Sequence, residues 1–314
     1  MTIIYTSDQF LLHETGAHPE SAQRLQQVLQ HLAATQLLPQ LRPGQCRIAE
    51  LSEIEEVHTA EYVKQLQDYA AAGGGRIEAD TVLCEASWQI AALAAGTAID
   101  AVHRVVRGDD STAFCLMRPP GHHALRDSAM GFCLLNNAAI AARAAQRQHE
   151  LQRILIVDWD VHHGNGTQAA FYEDPHVGFF SSHRFPFYPG SGAESETGSG
   201  VGLGTTFNLP IANGTSRSEI IKGIVSRLSD AADRIRPELV ILSAGFDAHV
   251  EDPVGSLGLE TEDFAALTDI VTEIAQVHCS GKVVSLLEGG YNPQRLAECT
   301  ELHLARLLAA EPAV

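Results

Sequence analysis

Short apolar runs alternate along this sequence with longer segments whose apolar residues recur at helical spacing. Runs of this length, rich in β-branched and aliphatic residues, predict buried strands. They are Thr2–Tyr5, Thr112–Met117, Arg153–Asp158, Val177–Ser181, Thr206–Leu209, Leu239–Ala244 and Lys282–Leu287. The segments that predict helices are Ser21–Ala34, Thr59–Ala72, Ala86–Arg107, Asn136–Gln148, Arg217–Ile235, Glu262–Cys279 and Gln294–Leu308. Strands alternating with helices indicate a parallel sheet with helices on both of its faces.

Two glycine-rich segments interrupt this pattern. Gly73–Gly75 predicts a short flexible turn, and Tyr188–Gly204 predicts a long loop rich in glycine and serine. The second segment lies between two predicted core strands of one sheet. A loop at the rim of an active site is therefore favoured over a disordered linker. Because no linker or internal repeat divides the 314 residues, we predict a single domain spanning residues 1–314.

Composition narrows the class of protein. Hydrophobic residues make up 45% and charged residues 19%, which is typical of a globular chain with a large core. The formal net charge of −18 argues against a nucleic-acid-binding surface and is compatible with cationic substrates. The N-terminus lacks the pattern of a signal peptide, no apolar run is long enough to span a membrane, and the six cysteines lack CxxC spacing. We therefore predict a cytoplasmic protein with reduced thiols that binds neither nucleic acid nor membranes.

The most informative segment runs from Ile154 to Thr167 and reads ILIVDWDVHHGNGT. Asp160 and His162 follow its apolar strand two residues apart, so on extended backbone their side chains project the same way. The carboxyl end of a strand in an open α/β sheet is where ligands bind. A carboxylate and an imidazole at that edge indicate a catalytic zinc ion or a similar divalent metal.

A second pair of histidines, His122 and His123, lies in the rigid loop RPPGHHA, directly after another predicted strand. They could act as further metal ligands or as acid–base groups with orienting partners. The first motif leaves Asp158 and Asn165 as spare polar side chains, and we expect each to pair with one of the two histidines. A carboxylate raises its partner's pKa whereas an amide orients without adding charge, so this pairing separates the two roles.

Three further residues lie at or near the same predicted edge. Asp247, in SAGFDAH after a strand, provides a third metal ligand beside Asp160 and His162, which leaves positions for water and substrate. Tyr291, in EGGYN, presents a phenol that can donate to a developing oxyanion. Phe132, in GFCLLNNA, follows the histidine loop and is interpreted as a wall of the substrate channel.

Taken in order, these motifs resemble those of the histone deacetylase family, which includes acetylpolyamine amidohydrolases and acetoin-utilisation proteins. The motifs are HPE followed by Arg24, then RPPGHH, GFC–NN, VDWDVHHGNGT, SSH with YPGSG, AGFDAH–DP and EGGYN, from about His13 to beyond Tyr291. The resemblance implies an arginase/deacetylase α/β fold in three layers, with a central, mainly parallel sheet of eight strands.

The resemblance also implies the metal sites. The catalytic zinc would be bound by Asp160, His162 and Asp247, with ferrous iron as an alternative ion in the cell. Family members carry structural monovalent cations as well. One potassium ion would be held by Asp158, Asp160 and His162, largely through main-chain oxygens, together with Ser181 and Ser182.

Roles for the remaining site residues follow from the same resemblance. His123 is expected to be the general base that activates the attacking water, with Asn165 as its partner. His122 is expected to be the second, electrostatic histidine or general acid, paired with Asp158. Tyr291 would polarise the substrate carbonyl. The walls of a narrow acyl-lysine channel would come from Phe132 and from an aromatic residue of the pair Phe187 and Tyr188.

Two positions distinguish subgroups of the family. Asn165 replaces the aspartate of some subgroups and is similar to the class II pattern. Val254 falls where similar polyamine-specific enzymes place an acidic gatekeeper, so an apolar residue there favours acetyl-lysine or another neutral acylamine.

We therefore expect a zinc-dependent amidohydrolase that removes acetyl groups from lysine side chains in proteins or peptides and releases acetate. The first alternative is the same chemistry on small acetylated amines, as in an acetylpolyamine deacetylase. A two-metal hydrolase of the arginase type needs a second ligand set, and only one complete set is assigned. A non-catalytic acyl-lysine binding module would not need Tyr291 or both histidines. An oligomer is compatible with the sequence.

Overall fold

The computed structural model describes residues 1–310 of the chain. Seven of the nine α-helices in this part begin and end close to their predicted bounds. The nine are α1 (Ala22–Ala34), α2 (Leu51–Ile54), α3 (Ala60–Ala71), α4 (Ser87–Arg107), α5 (Asn137–His149), α6 (Asn165–Phe171), α7 (Arg217–Ile235), α8 (Thr261–Cys279) and α9 (Pro293–Ala309). Polar caps define several starts; Asn136, for example, accepts the N–H of Ala139. The sequence pattern does not predict α2 and α6, which at 4 and 7 residues are too short to show helical periodicity.

The strands form one large sheet and one small hairpin. In chain order they are β1 (Thr2–Tyr5), β2 (Arg42–Pro43), β3 (Gly75–Arg76), β4 (Val82–Leu83), β5 (Thr112–Cys115), β6 (Ile154–Asp158), β7 (Val177–Arg184), β8 (Thr206–Ile211), β9 (Leu239–Ala244) and β10 (Val283–Leu287). Eight of them pair in the order β2-β1-β5-β10-β9-β6-β7-β8, and all of these pairings are parallel. The predicted parallel sheet of eight strands is confirmed.

The sheet is the middle of three layers. Helices α4 and α5 pack against each other, and α1, α8 and α9 form a second packed group. Strand β5 is contacted by α4 from the first group and by α9 from the second, as expected when helices cover both faces. Every residue of β1, β5, β6, β9 and β10 is buried, which explains why these strands appear in the sequence as continuous apolar runs.

Three local features differ from the sequence prediction. The edge strand β2 was not predicted, because Arg42–Pro43 contains no apolar run and a proline cannot donate to a ladder. Gly75, predicted to lie in a flexible turn, instead pairs with Leu83 in the hairpin of β3 and β4. Strand β7 continues beyond its predicted end at Ser181 to Arg184, since its pairing with β8 extends that far.

Two expectations about the whole chain can be compared with the structure. In the described residues, no helix combines the length and apolar character needed to cross a bilayer. All six cysteines are free thiols, which agrees with the prediction of reduced cysteines. The predicted domain extends to residue 314, and its last four positions lie outside the described part of the chain.

Candidate functional site

The candidate residues meet because their strands are neighbours at the centre of the sheet. Strands β5, β10, β9 and β6 lie side by side and run in the same direction. The loops that follow them therefore emerge at one edge. The loop after β5 carries the two adjacent histidines, that after β10 carries Tyr291, that after β9 carries Asp247, and that after β6 carries Asp160 and His162. The edge predicted from the sequence is thus formed by four consecutive strands of the sheet.

Asp160, His162 and Asp247, here called the Asp–His–Asp triad, are buried and bring one possible metal-ligand atom each to within 4.8 Å of the others. Nδ1 of His162 lies 3.0 Å from Oδ1 of Asp160 and 3.1 Å from Oδ2 of Asp247. Backbone N–H groups hold both carboxylates: that of Val161 donates to Asp247 Oδ1, and that of Gly289 donates to Asp160 Oδ2, each at 2.9 Å.

One oxygen of this triad is left open. Oδ2 of Asp247 is buried and has no hydrogen bond of acceptable geometry to any described residue. A buried carboxylate oxygen without a partner is costly, and two carboxylates with one imidazole are a donor set that a catalytic zinc or similar divalent ion uses. The residues present therefore fit a divalent metal ion.

The electrostatics of the triad favour a cation. Burial, followed by the negative charge of Asp160, raises the pKa of Asp247 to about 7. Burial opposes the charged form of His162, but the adjacent carboxylates of Asp160 and Asp247 outweigh it and raise its pKa to about 10. Two carboxylates held this close repel each other, and a divalent cation between them would relieve the repulsion.

Glycines allow the surrounding backbone to approach the triad. A Cβ atom placed on Gly289 would collide with Oδ2 of Asp247, and one placed on Gly245 would collide with Oδ2 of Asp160. Only glycine leaves room for both carboxylates. This close packing accounts for the glycines that flank the acidic and aromatic residues in AGFD and EGGY.

The two adjacent histidines have different partners. Nδ1 of His122 lies 2.9 Å from Oδ2 of Asp158, whereas Nδ1 of His123 lies 2.7 Å from Oδ1 of Asn165. Their ring centroids are 4.0 Å apart. The structure thus contains the pairing expected from the spare polar groups, with the carboxylate on the first histidine and the amide on the second.

These partners give the two rings opposite charge states. Burial opposes protonation of His122, but the charges of Asp158 and Asp160 raise its pKa well above the usual value. Burial, reinforced by the neighbouring charges of His122 and His162, lowers the pKa of His123 well below the usual value. At neutral pH His122 is therefore protonated. His123 is neutral and donates its Nδ1–H to Asn165, which leaves Nε2 free to accept a proton.

Aromatic side chains surround this cluster. Phe132 and both members of the pair from which a second wall was predicted contact rings of the site. Between ring centroids, Phe132 meets Tyr291 edge-on at 5.6 Å, Phe187 stacks on His162 at 5.3 Å, and Tyr188 meets His123 edge-on at 5.3 Å. Phe132 has a left-handed backbone conformation with φ 69°, and its N–H donates to the hydroxyl of Thr81 at 3.1 Å. A phenylalanine in this region is costly, so the surrounding contacts hold its ring in place.

Tyr291 is held from both sides of its backbone. Arg24 donates from Nε to the carbonyl of Gly290 at 2.6 Å, and its guanidinium lies 4.9 Å from the centre of the tyrosine ring. The N–H of Tyr291 donates to Oδ2 of Asp252 at 2.6 Å. Burial raises the pKa of the phenol well above its usual value, although Arg24 opposes this, so the group is a neutral O–H donor.

Asp252, which accepts the N–H of Tyr291, also places Val254 near the Tyr291 loop. Oδ1 of Asp252 accepts the N–H of the half-buried Val254 at 2.9 Å, so one carboxyl group links the valine turn to the Tyr291 loop. On the other side of the sheet edge, Ser181 pairs in register with Asp158, and Ser182 is the next residue of β7. The potassium site assigned to these residues stays a prediction.

The long loop Tyr188–Gly204 is tied beside the site by two buried histidines that have no role in the sequence prediction. His163 contacts the hydroxyl of Ser191 at 2.8 Å, and His183 contacts the carbonyl of Gly192 at 2.9 Å through Nε2. The carboxylate of Glu196 accepts the N–H of Gly192 at 3.0 Å. These contacts fit the interpretation of this segment as a rim loop.

Sequence reasoning also missed a buried ion cluster behind the site, which we call the arginine cluster: Glu20, Arg24 and Arg118. Glu20 accepts from Arg118 Nε at 2.5 Å and Nη2 at 2.7 Å, and from Arg24 Nη1 at 3.1 Å. All three are at most 1% exposed. Glu20 lies in the HPE motif and Arg118 in the RPPGHH motif, so both were visible in the sequence. Their contact could not be predicted, because local spacing does not relate residues that are 98 positions apart.

Comparison with known proteins places the chain in a family. The family model for the histone deacetylase domain matches residues 18–307. The chain belongs to the histone deacetylase family. It is 37% identical over 312 residues to histone deacetylase 14 of Arabidopsis thaliana, covering 94% of this chain and 74% of that protein. It is 37% identical over 284 residues to a histone deacetylase-like amidohydrolase of Pseudomonas aeruginosa, covering 90% and 73%.

Two further similarities bear on fold and substrate. The human polyamine deacetylase HDAC10 is 37% identical over 316 residues, covering 96% of this chain and 46% of that protein. The crystal structure of the HDA15 HD domain matches with a TM-score of 0.92 at 36% identity, covering 98% of this chain and 91% of that one. The protein therefore has the arginase/deacetylase fold and is an amidohydrolase of a metal-dependent family.

Proposed function

We propose that this protein is a zinc-dependent deacetylase, formed by one catalytic domain, that removes acetyl groups from the ε-amine of lysine in peptides or proteins. The observation that carries this proposal is the meeting of three groups at one sheet edge. They are the Asp–His–Asp triad, a neutral and a protonated histidine side by side, and the phenol of Tyr291. Together they provide a metal site, a base, an acid and an oxyanion donor.

Asp160, His162 and Asp247 would hold the catalytic ion, which is zinc in this proposal and could be ferrous iron in the cell. When bound there, the metal ion supplies Lewis acidity that polarises the amide carbonyl and acidifies water. The open Oδ2 atom of Asp247 supports this assignment. Asp158, Ser181 and Ser182 would contribute to a structural potassium site.

The remaining residues act on the water, the carbonyl oxygen and the leaving amine. His123 accepts the proton of the attacking water at Nε2, because its Nδ1–H is engaged by Asn165. Tyr291 donates its phenol O–H to the carbonyl oxygen as negative charge develops there. His122, kept protonated by Asp158, stabilises this charge and passes a proton to the leaving amine. The products are acetate and the free amine.

Substrate choice depends on the mouth of the site. The rings of Phe132, Phe187 and Tyr188 suit a narrow channel for an apolar acyl-lysine side chain. Val254 adds no charge where similar polyamine-specific enzymes have an acid, and this favours acetyl-lysine. A second candidate is an acetylpolyamine deacetylase, which the net charge of −18 and the similarity to a polyamine deacetylase favour.

The test is to compare kcat/KM of the zinc-loaded protein on an acetyl-lysine peptide, acetylputrescine and acetylspermidine. We expect the peptide to be preferred at least tenfold. A preference for either polyamine would retain the chemistry and overturn the lysine assignment. If none of the three substrates were hydrolysed faster than by the Asp247→Asn variant, the deacetylase proposal would be wrong.

A further inference from the structure

One buried carboxyl group beside the site has no part in the mechanism above. Glu288 follows β10 and is 1% exposed. Its Oε2 atom accepts two backbone hydrogen bonds, from the N–H of Gly121 at 2.7 Å and from the N–H of His122 at 3.3 Å. Its Oε1 atom is buried and makes no hydrogen bond to any residue in the described range 1–310. The side chain therefore reaches from one sheet loop to the backbone of another.

The backbone that Glu288 contacts belongs to the loop that presents both histidines. This loop is not helical or extended, so its buried N–H groups have no partner within a helix or ladder. The carbonyl of His122 accepts the N–H groups of Gly166 at 3.0 Å and Thr167 at 3.2 Å. His122 is thus fixed on its carbonyl side by α6 and on its amide side by Glu288.

Glu288 is itself held firmly. Its N–H donates to the carbonyl of Ala244 at 3.1 Å, and its carbonyl accepts from Nη2 of Arg24 at 2.5 Å. The latter contact connects it to the arginine cluster. These two contacts fix the backbone of Glu288, so its side chain starts from a defined point and can define the position of the histidine loop.

We propose that Glu288 is a positioning residue, whose Oε2 atom sets the backbone of Gly121 and His122 and thereby the placement of both histidine rings. The inference rests on the proposed function, in which these rings transfer protons. It assigns to the first letter of the EGGYN motif a role that is separate from that of Tyr291.

The open oxygen shows which property of the side chain matters. Because Oε1 binds nothing in the described chain, one acceptor atom is enough for the role. Burial raises the pKa of Glu288 to about 7, and a glutamine in its place keeps an acceptor oxygen without the charge.

The experiment compares Glu288→Leu, which removes the acceptor, with Glu288→Gln, which keeps it. Ser285→Ala is the matched control, since Ser285 is buried on β10, the strand that Glu288 follows, and contacts His303 instead of the loop. We expect Glu288→Leu to lower kcat by 10- to 100-fold with KM and zinc content unchanged, in keeping with the cost of a small misplacement of reacting groups. Glu288→Gln should stay within about threefold of the wild type, and Ser285→Ala should leave kcat unchanged.

A second measurement does not depend on turnover. Hydrogen–deuterium exchange of peptides covering Gly121 and His122 should be slow in the wild type and in Glu288→Gln, and faster in Glu288→Leu. If the leucine variant does not fold, the exchange rates of the wild type and of Glu288→Gln still show whether the amides of Gly121 and His122 are protected. Fast exchange of these amides in the wild type would contradict the proposal. So would a loss of kcat in Glu288→Gln as large as in Glu288→Leu, or an undiminished kcat in the leucine variant.

The two proposals can fail separately. If the wild type hydrolyses no acetylated substrate, the deacetylase proposal is wrong, and the exchange measurement still tests the contact made by Glu288. If the wild type is active and Glu288→Leu loses zinc together with kcat, the residue supports the metal site and not the histidine loop, and the positioning role is overturned.

Discussion

Two clusters of buried charge, the arginine cluster and the Asp–His–Asp triad, lie close to the same sheet edge and differ in how their charges are balanced. In the arginine cluster every charge has a partner: Glu20 accepts from both guanidinium groups, and Arg118 also donates to the carbonyl of Phe10 at 3.1 Å. In the Asp–His–Asp triad the carboxylates outnumber the cation, and Oδ2 of Asp247 lacks a hydrogen bond within the described chain.

The pKa values of two buried carboxyl groups show the same contrast. Burial opposes the charged form of both. In Glu20 the charge of Arg118 outweighs burial and lowers the pKa to about 2. In Asp247 the charge of Asp160 adds to burial and raises the pKa to about 7. A buried charge that the protein neutralises itself serves the fold, whereas one left in excess indicates a site for an external cation.

The largest effect should come from removing a charge of the triad. Asp247→Asn should abolish zinc binding and lower kcat/KM by more than about 10⁴-fold, because both the metal ligand and its charge are lost. The comparison also predicts that the metal-free variant unfolds at the same or a higher temperature than metal-free wild type, since repulsion is relieved. Zinc content, turnover and thermal unfolding check this. If the metal-free variant were clearly less stable than metal-free wild type, the triad would not hold an excess of negative charge.

His123→Ala should lower kcat by about 10²–10⁴-fold while zinc stays bound, as expected for loss of a general base. Metal analysis of the purified variant decides between the roles. If zinc is lost with the side chain, His123 is a metal ligand, and the assignment of the metal site to the Asp–His–Asp triad alone is wrong.

Tyr291→Phe should lower kcat by about 10²–10³-fold, the cost of removing one oxyanion donor. KM and zinc content should change little, because the ring and its contact with Arg24 remain. Steady-state kinetics on the preferred substrate provide the measurement. An undiminished kcat would exclude the proposed role of the phenol.

Glu20→Gln tests the other cluster and should act on stability. Breaking a buried, paired charge costs about 3 kcal/mol or more of unfolding free energy. The pKa of Glu20 is lowered in the folded protein, so its contribution is present above about pH 4.5 and is lost as the pH falls towards about 2. The difference between wild type and variant in urea unfolding should therefore be constant from pH 7 to 5 and shrink below that.

Asp68→Ala is the matched control for this measurement. Asp68 pairs with Lys64 at 2.8 Å, but the two side chains are 66% and 72% exposed. An exposed pair of this kind contributes about 0–1 kcal/mol. If both variants lost the same free energy of unfolding, the buried pairing of Glu20 would contribute no more to stability than an exposed ion pair.

Most elements of the sheet were predictable because the strands that form its centre are buried on both faces. Strands such as β6 and β9 are continuous apolar runs that need no knowledge of their neighbours. The edge strand β2 depends on a partner distant in the chain, and the helix α6 is too short to show helical periodicity, so local pattern could not indicate either of them. The triad could be proposed because its members each follow a strand.

The sequence by itself determined the strands, their polar ends and the family, because these depend on local pattern and on motifs in a fixed order. It also indicated that Asp158 and Asn165 would be partners of the two histidines. The family resemblance assigned Asp158 to His122 and Asn165 to His123, and the tertiary structure shows the contact distances and the burial that give the two rings opposite pKa shifts. Only the tertiary structure decided that Glu20 meets Arg118 and that Glu288 reaches the backbone of His122. These contacts join residues 36 to 167 positions apart. Their energies depend on burial and on three-dimensional distance, which sequence spacing does not encode.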